Sequence, residues 1–409
     1  MDPRVEVALV PVTANRNLDL LFVIDDSTNL LDTQLAVVHA FSSLEQQIVA
    51  SGRPSLHLGV VSSDVGTLGA FDTQPGLPIG EGPGSCSSDG RAGILTTSSQ
   101  VMGRYIIDDP AAGITNYTGS LDDAFTSIGI LGSSGCGFEQ HLHAMKRALD
   151  NNVENAGFLR ADAQLGVIVF TDEDDCSFAH SSFVSIDTSA FGPMSFRCPR
   201  FGITCDDGGA TPDQMALVGP KWGCHANESS DSVMHPSEYV AYLKGLKADP
   251  RDVMFGTLAG DPLIEVEART PPGGGTPIPA LAVVCDALDW IEPSVRLAQL
   301  PAQFRHGSFE SVCTTDMHPA MTNLGRQLRN LIGDSCLARD IALPADCRVF
   351  DETLTTTREL SRCTETIATD CYRLVEDPVC IAGQHLRVDV TRSAPALPGT
   401  MVSVRCVTL

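Results

Sequence analysis

Residues 18–29 read Leu-Asp-Leu-Leu-Phe-Val-Ile-Asp-Asp-Ser-Thr-Asn. A short, nearly continuous apolar run that ends abruptly in polar residues is typical of a strand buried in a parallel sheet. Apolar residues at helical spacing follow within 30–50, and the apolar run at 56–62 predicts a second strand. Strand, helix and strand in this order indicate a βαβ unit, and therefore an α/β fold with a mostly parallel central sheet.

The alternation of strands and helices continues toward the C-terminus. Gly, Ser, Thr and Pro dominate 64–118, which predicts long loops with one hairpin near Gly93–Ile107. The remaining strands are predicted at 165–171, 252–258 and 308–313, and the remaining helices at about 119–130, 137–151, 237–247, 294–305 and 317–331.

This pattern predicts a large α/β domain over residues 17–335, Rossmann-like, with helices on both faces of its sheet. A Cys-rich insertion at about 173–234 lacks periodicity, and we expect disulfides to replace the core that it cannot form. Residues 336–409 contain short β-like runs between cysteines, which predict a small disulfide-rich β subdomain.

The charge balance limits the classes of partner. The chain has 409 residues with 51 acidic and 27 basic side chains, a formal net charge of −24. A strongly acidic surface repels nucleic-acid backbones and anionic membranes, so no nucleic-acid role is expected. We also expect no transmembrane segment, because no run of about 18 apolar residues is present.

The cysteines indicate the compartment. Fourteen are present, an even count, and no pair has the C-x-x-C spacing of zinc or redox sites. Disulfides in an oxidising compartment are the better interpretation. Neighbours such as Cys86 with Cys136 and Cys285 with Cys313 are candidate pairs, although the connectivity stays open. The N-terminus lacks a signal-peptide pattern, so an extracytoplasmic location requires a signal outside this sequence.

Acidic residues follow two of the predicted strands. Asp25 ends the first strand, with Ser27 close behind it, and Asp172 ends the strand at 165–171. In open parallel sheets, ligands bind outside the carboxyl ends of the strands. Two acidic strand ends side by side would repel each other unless a cation such as Mg²⁺, which prefers carboxylate, hydroxyl and water oxygens, lies between them. The alternative is that both carboxylates only cap helix N-termini.

The pattern Asp25-x-Ser27-x-Asn29 resembles the D-x-S-x-S motif of von Willebrand factor A domains, which forms a metal-ion-dependent adhesion site. The resemblance implies that a loop hydroxyl, from Ser133 or Ser134, and the carboxylate of Asp172 complete a site for Mg²⁺ or Ca²⁺. Over roughly 17–335 the chain looks most similar to extracytoplasmic von Willebrand A-like proteins of myxobacteria and relatives, which are often lipoproteins. The blocks that carry this likeness are 22–27, 59–64, 135–140, 171–177 and 311–313.

The chain departs from the family pattern in its ligand set. Asn29 replaces a serine, and a serine at 133 or 134 replaces the family threonine. Asp26 and the acidic run at 173–175 add negative charge, which favours Ca²⁺ as readily as Mg²⁺ and can fill the open coordination position. For Asp174 and Asp175 themselves, a solvated acidic loop is the expected structure.

The resemblance implies a non-enzymatic extracytoplasmic binding or adhesion protein, located in the periplasm, on the outer membrane as a lipoprotein, or secreted. It would recognise a protein or glycan at the top edge of the sheet, through a bound cation. A metal-independent structural scaffold with a decayed adhesion site is the alternative. A metal-assisted hydrolase ranks last, because the sequence offers no general base, second metal or nucleophile for it.

Overall fold

The chain folds into several sheets, helices and short turns. The computed structural model describes residues 3–12, 15–28, 30–50, 53–271, 273–285, 290–333, 335–337, 339–377, 380, 385–394, 396–397 and 399–409. The strands are β1 (Val5–Pro11), β2 (Asn17–Ile24), β3 (Ser55–Ser62), β4 (Ile106–Asp109), β5 (Ile114–Thr115), β6 (Gln164–Phe170), β7 (Ile203–Asp207), β8 (Gly219–Pro220), β9 (Trp222–Ala226), β10 (Val253–Ala259), β11 (Glu265–Arg269), β12 (Ile278–Leu281), β13 (Ser308–Ser311), β14 (Cys347–Glu352), β15 (Thr357–Arg362), β16 (Cys371–Glu376), β17 (Leu386–Thr391) and β18 (Met401–Cys406). The helices are α1 (Leu31–His39), α2 (Phe41–Val49), α3 (Leu121–Gly129), α4 (His141–Leu149), α5 (Thr188–Phe191), α6 (Arg197–Gly202), α7 (Pro212–Met215), α8 (Pro236–Gly245), α9 (Val295–Gln299) and α10 (His318–Leu331).

The largest sheet has seven strands in the order β13-β10-β6-β2-β3-β4-β5. Strands β13, β10, β6, β2 and β3 run parallel, whereas at one edge β4 pairs antiparallel with β3, and β5 pairs antiparallel with β4. Within this sheet, the chain enters at β2, continues outward through β3 and β4 to β5, and then returns to add β6, β10 and β13 on the other side of β2. The direction of winding therefore reverses between β2 and β6, where a crevice forms at the carboxyl ends of the strands.

Helices cover both faces of this sheet. Along β2, Leu20 and Phe22 point into a core with α1, α2, α3 and α10, whereas Leu21 and Val23 point into a second core with α4, α8 and α9. Because both faces are buried, the strand carries apolar side chains on both sides. Burial on both faces therefore explains the continuous apolar run that predicted β2.

Two local predictions were wrong. The helix expected over 30–50 is two helices, α1 and α2, that meet at Ala40. The hairpin expected near Gly93–Ile107 lies further along the chain, where β4 pairs with β5. In α1 the buried residues include the polar Thr33 and Gln34, which an amphipathic pattern does not anticipate.

A second sheet has six strands in the order β1-β18-β14-β15-β16-β17. Strand β1 pairs antiparallel with β18, from Val5 opposite Cys406 to Pro11 opposite Met401. The C-terminal β subdomain therefore includes a strand from the other end of the chain, which the predicted boundary at 336 leaves out. None of the helices within the described ranges has the length and apolarity to cross a lipid bilayer.

All fourteen cysteines form disulfides, as the composition predicted. The candidate pairs Cys86–Cys136 and Cys285–Cys313 are both confirmed. The other pairs are Cys176–Cys198, Cys205–Cys224, Cys336–Cys380, Cys347–Cys406 and Cys363–Cys371. Seven disulfides in one chain are typical of a protein from an oxidising, extracytoplasmic compartment.

Candidate functional site

Asp25 lies at the carboxyl end of β2, in the crevice beside β6. Its backbone N–H donates to the carbonyl of Phe170 over 3.0 Å, which continues the pairing of the two strands. Its buried carboxylate accepts hydrogen bonds from the Ser27 backbone N–H and the Thr171 hydroxyl, each 2.8 Å long. Strand pairing and these two donors therefore fix Asp25 in one orientation.

Asp172 follows β6 on the other side of the same crevice and is only 3% exposed. Burial, followed by repulsion from Asp25 and Glu173, raises the pKa of Asp172 well above its usual value. A hydrogen bond that Asp172 shares with Asp25 when protonated raises this pKa further. Within the described residues, Oδ1 of Asp172 has no hydrogen-bond partner. The structure thus brings the two predicted acidic strand ends together.

A glutamine holds the loop with Ser133 and Ser134 next to this crevice. The Gln34 amide donates to the Asp25 carbonyl over 2.9 Å, and its Oε1 accepts from the N–H groups of Leu131 and Gly132. Ser133 is half-buried and Ser134 is exposed. Among the described hydrogen bonds, none joins either serine to Asp25 or Asp172. Ser27 is buried beside Asp25, whereas Asn29 lies outside the described residues.

The carboxylate of Asp26 contacts a different set of groups from that of Asp25. Its carboxylate accepts a 2.5 Å hydrogen bond from the Ser62 hydroxyl and lies 2.7 Å from the Arg91 guanidinium. Burial raises the pKa of Asp26 to about 6, although Arg91 and Ser62 act to lower it. Its carbonyl accepts from the Gly135 N–H over 2.6 Å. Asp26 therefore ties three loops together at the edge of the crevice.

His141, which the sequence did not single out as a site residue, lies beneath Asp25. Its Nε2 is 3.7 Å from Asp25 Oδ2, and the ring is fully buried. Neither ring nitrogen has a hydrogen-bond partner among the described residues. Burial alone raises the pKa of Asp25, yet the His141 imidazole and the donors Ser27 and Thr171 hold that pKa below its usual value. The two aspartates of the crevice thus have opposite proton affinities.

An acidic cavity of about 480 Å³ opens beside Asp172. Burial, with repulsion from Glu292 and Asp25, raises the pKa of Glu173 to about 8. Burial also raises the pKa of Glu292 to about 7, against the opposing effect of Arg269. The walls come from the 137–139 loop, the end of β6, the Cys-rich insertion, β12 and residues 290–292, and include Phe138, Glu139, Met194, Pro199, Leu281 and Trp290. Negative charge is therefore unfavourable in this cavity unless a cation compensates it.

Asp174 and Asp175 do not form the solvated acidic loop that was expected. The carboxylate of Asp174 accepts from the N–H groups at the start of α9, those of Val295, Arg296 and Leu297, at 2.8–3.0 Å. Asp175 is buried, accepts from the first turn of α4 and lies 3.1 Å from the Arg296 guanidinium. Because both carboxylates hold helices in place, they are not free to bind a ligand.

Within the described residues, no three His, Cys, Asp or Glu side chains form a group able to hold a metal ion. A cation in the crevice would therefore rest on the carboxylates of Asp25 and Asp172, the Ser27 hydroxyl and water. The unpartnered, buried Oδ1 of Asp172 fits such an ion, since buried polar atoms normally have a partner.

No protein-family model and no curated protein matches the chain. Among solved structures, proximal thread matrix protein 1 from the mussel byssus is similar at 10% identity and a TM-score of 0.31, over 82% of this chain and 50% of that one. Human COPII-coat protein Sec24c is similar at 10% identity and a TM-score of 0.32, over 96% of this chain and 39% of that one. The pilus adhesin SpaC from Lactobacillus rhamnosus GG is similar at 10% identity and a TM-score of 0.30, over 98% of this chain and 40% of that one. The chain spans half or less of each of these proteins, and likenesses this weak carry no argument about fold or function.

Proposed function

We propose that the chain is a non-enzymatic, extracytoplasmic binding protein of the von Willebrand A-like type, whose crevice binds Mg²⁺ or Ca²⁺ and, through it, a partner. The observation that carries the proposal is the meeting of Asp25 and Asp172 where the winding of the sheet reverses. The order of the strands and the sequence blocks around the crevice support membership of that family.

A divalent cation would remove the electrostatic conflict in the crevice. Repulsion from Asp25 contributes to the raised pKa of Asp172, and an ion between the two would turn this repulsion into attraction to a shared charge. The ligands would be Asp25, Ser27 and Asp172. Asn29 and a hydroxyl from Ser133 or Ser134 would complete the set, either directly or through a water molecule. Few protein ligands leave a coordination position for an oxygen of a protein or glycan partner.

The location forms part of the same proposal. The seven disulfides support an oxidising compartment. We propose the periplasm, the outer membrane through a lipid anchor, or secretion, as in the proteins that the sequence resembles. The net charge of −24 argues for a partner other than nucleic acid.

Calorimetric titration tests the cation site. Mg²⁺, Ca²⁺ and Mn²⁺ are titrated into chelator-treated protein, and saturable binding of at least one is expected. Asp172→Asn keeps the shape of the side chain but removes its charge, and should abolish the binding. Asp206→Asn, at an exposed carboxylate of the insertion, should bind as the wild type does. Absence of binding for all three cations would overturn the proposal.

One observation favours the metal-independent scaffold as a second candidate. The carboxylate of Asp25 already accepts from Ser27 and Thr171 and lies beside His141, so its charge is stabilised within the protein. A scaffold of this kind would keep the same melting temperature with chelator and with each cation. A melting temperature that rises with the cation concentration would exclude it.

A further inference from the structure

Residues 219–222 of the Cys-rich insertion and residues 263–266 form a ribbon that does not line the cavity beside Asp172. Strands β8 and β11 pair antiparallel, with Pro220 opposite Glu265 and Gly219 opposite Val266. The N–H of Lys221 donates to the carbonyl of Ile264 over 2.9 Å, so the same register continues beyond the two paired positions. From this register we infer that Trp222, the next residue along the chain, stands opposite Leu263.

Side chains alternate between the two faces of this ribbon, as they do along any strand. On the inner face, Lys221, Ile264 and Val266 are buried. On the outer face, Trp222 is 62% exposed and Leu263 66%. Two large apolar side chains thus stand side by side in solvent, and adjacent exposed apolar side chains are a feature of interaction surfaces.

The ribbon is held rigidly. The Lys221 ammonium donates to the carbonyls of Gln214 and Leu217, at 3.2 and 2.6 Å. The disulfide Cys205–Cys224 clamps the neighbouring hairpin of β7 and β9. Because this surface is already ordered before a partner arrives, little conformational entropy is lost on binding.

The charges around the apolar face identify the chemistry of the partner. Asp207 stands opposite Trp222 on β7, and Glu265 stands opposite Pro220 on β11, so both belong to the outer face. Both carboxylates are exposed, whereas the ammonium of Lys221 turns inward. A partner that covers Trp222 and Leu263 therefore meets negative charge on both sides.

We propose that this outer face, which we name the Trp222 face (Pro220, Trp222, Leu263, Asp207 and Glu265), docks a segment of another protein in which apolar side chains alternate with Lys or Arg. A second copy of the chain would bring the same carboxylates together, and an anionic lipid surface would be repelled by them. This docking does not require the cation site, and it gives the molecule a second point of attachment to a basic partner.

Fluorescence anisotropy with labelled peptides tests the proposal. A nine-residue peptide of alternating Lys and Leu is the probe, a Glu and Leu peptide of the same length is its counterpart, and chelator is present throughout. The Lys and Leu peptide should bind more tightly than the Glu and Leu peptide, and its affinity should fall as the salt concentration rises. Leu263→Ser should weaken its binding by about tenfold or more, because a buried leucine contributes roughly 1.5–3 kcal/mol. Glu265→Gln should weaken it by a smaller factor.

Leu77→Ser, which removes another highly exposed leucine, is the matched control and should bind as the wild type does. Equal binding of the two peptides, or equal binding by the wild type and Leu263→Ser, would overturn the proposal. A dimer in sedimentation that Leu263→Ser dissolves would show that a second copy covers the face instead. Binding to phosphatidylserine vesicles that Leu263→Ser abolishes would show a membrane there. Because chelator is present, failure of the cation site would leave these outcomes unchanged.

Discussion

Asp25 and Asp172 are the same residue type in buried positions of one crevice, yet their pKa values are shifted in opposite directions. His141 and two hydrogen-bond donors keep the proton affinity of Asp25 low. For Asp172, burial raises the pKa, and repulsion from Asp25 and Glu173 raises it further. The number and charge of the neighbours, not burial alone, decide the protonation state of each aspartate.

The raised pKa values of this cluster predict how stability depends on pH in chelator. Carboxyl groups such as Glu173, with a pKa of about 8, and Glu292, at about 7, keep protons in the folded state that the unfolded chain has lost. Stability therefore falls as pH rises from 7 to 9. Histidines with lowered pKa, such as His143, act oppositely only below about pH 6.5, the value for an unfolded histidine.

We expect the melting temperature in chelator to fall by a few degrees from pH 7 to 9, since about 1 kcal/mol shifts it by roughly 1–2 °C in a domain of about 300 residues. Asp172→Asn should reduce the fall, because it removes repulsion from its neighbours. Asp206→Asn should leave the fall unchanged. A flat profile in the wild type, measured by differential scanning fluorimetry, would show that the cluster is not strained by its own charge.

Far from the crevice, we expect removal of the Asp19 side chain to lower the stability of the protein strongly. It is fully buried and accepts from the Arg160 guanidinium at 2.8 Å, with the Lys247 ammonium 3.7 Å away. Asp19→Ala leaves two cations without their counterion in the interior, which costs about 3–5 kcal/mol. Urea denaturation measures the loss. Glu154→Ala, which breaks an exposed ion pair with Arg104, should cost less than about 1 kcal/mol.

At the scale of the elements, the parallel strands of the seven-stranded sheet were predictable to within one or two residues. The sequence run at 18–25 became β2, and the run at 165–171 became β6, because a strand buried on both faces has an apolar side chain at nearly every position. The break between α1 and α2 was not predictable. The buried Gln34 binds a loop almost a hundred residues away, and no local pattern shows that contact.

The start of α9 gives a prediction for an element. Asp174 accepts three backbone N–H groups there, a role that an N-terminal cap normally fills from the adjacent residue. Asp174→Ala should lower the free energy of unfolding by about 1–2 kcal/mol in urea denaturation. Asp213→Ala, at an exposed carboxylate paired with Arg200, should lower it less. An unchanged midpoint for Asp174→Ala would mean that water replaces the carboxylate without loss.

For the whole molecule, the acidic strand ends were predictable, but most of the crevice was not. Asp25 and Asp172 each follow a recognisable strand, and the order of the strands places them together. His141 and Glu139 come from another helix and its preceding loop, and Glu292 comes from a segment beyond the insertion. Contacts between such distant segments depend on how the insertion folds over the sheet, and its irregular sequence carries no periodic signal for that.

The pairing of β1 with β18 makes the stability of the C-terminal sheet depend on the N-terminal strand. Val7, Ala8 and Val10 of β1 pack into the same core as Val402 and Val404 of β18. Deletion of residues 1–12 would expose this core and leave β18 as an open edge strand. Each large side chain that loses its burial costs roughly 1.5–3 kcal/mol, so the C-terminal sheet should become the least stable part of the molecule.

Limited proteolysis with mass spectrometry should then show early cleavage within residues 347–406, while residues 17–333 resist as they do in the wild type. Deletion of residues 1–3 alone keeps β1 and should give the wild-type pattern. Equal cleavage rates for the two deletions would show that the C-terminal strands hold their sheet without β1. Early cleavage on both sides of residue 333 would mean instead that the two sheets unfold as one cooperative unit, because the contacts between them outweigh the loss of a single strand.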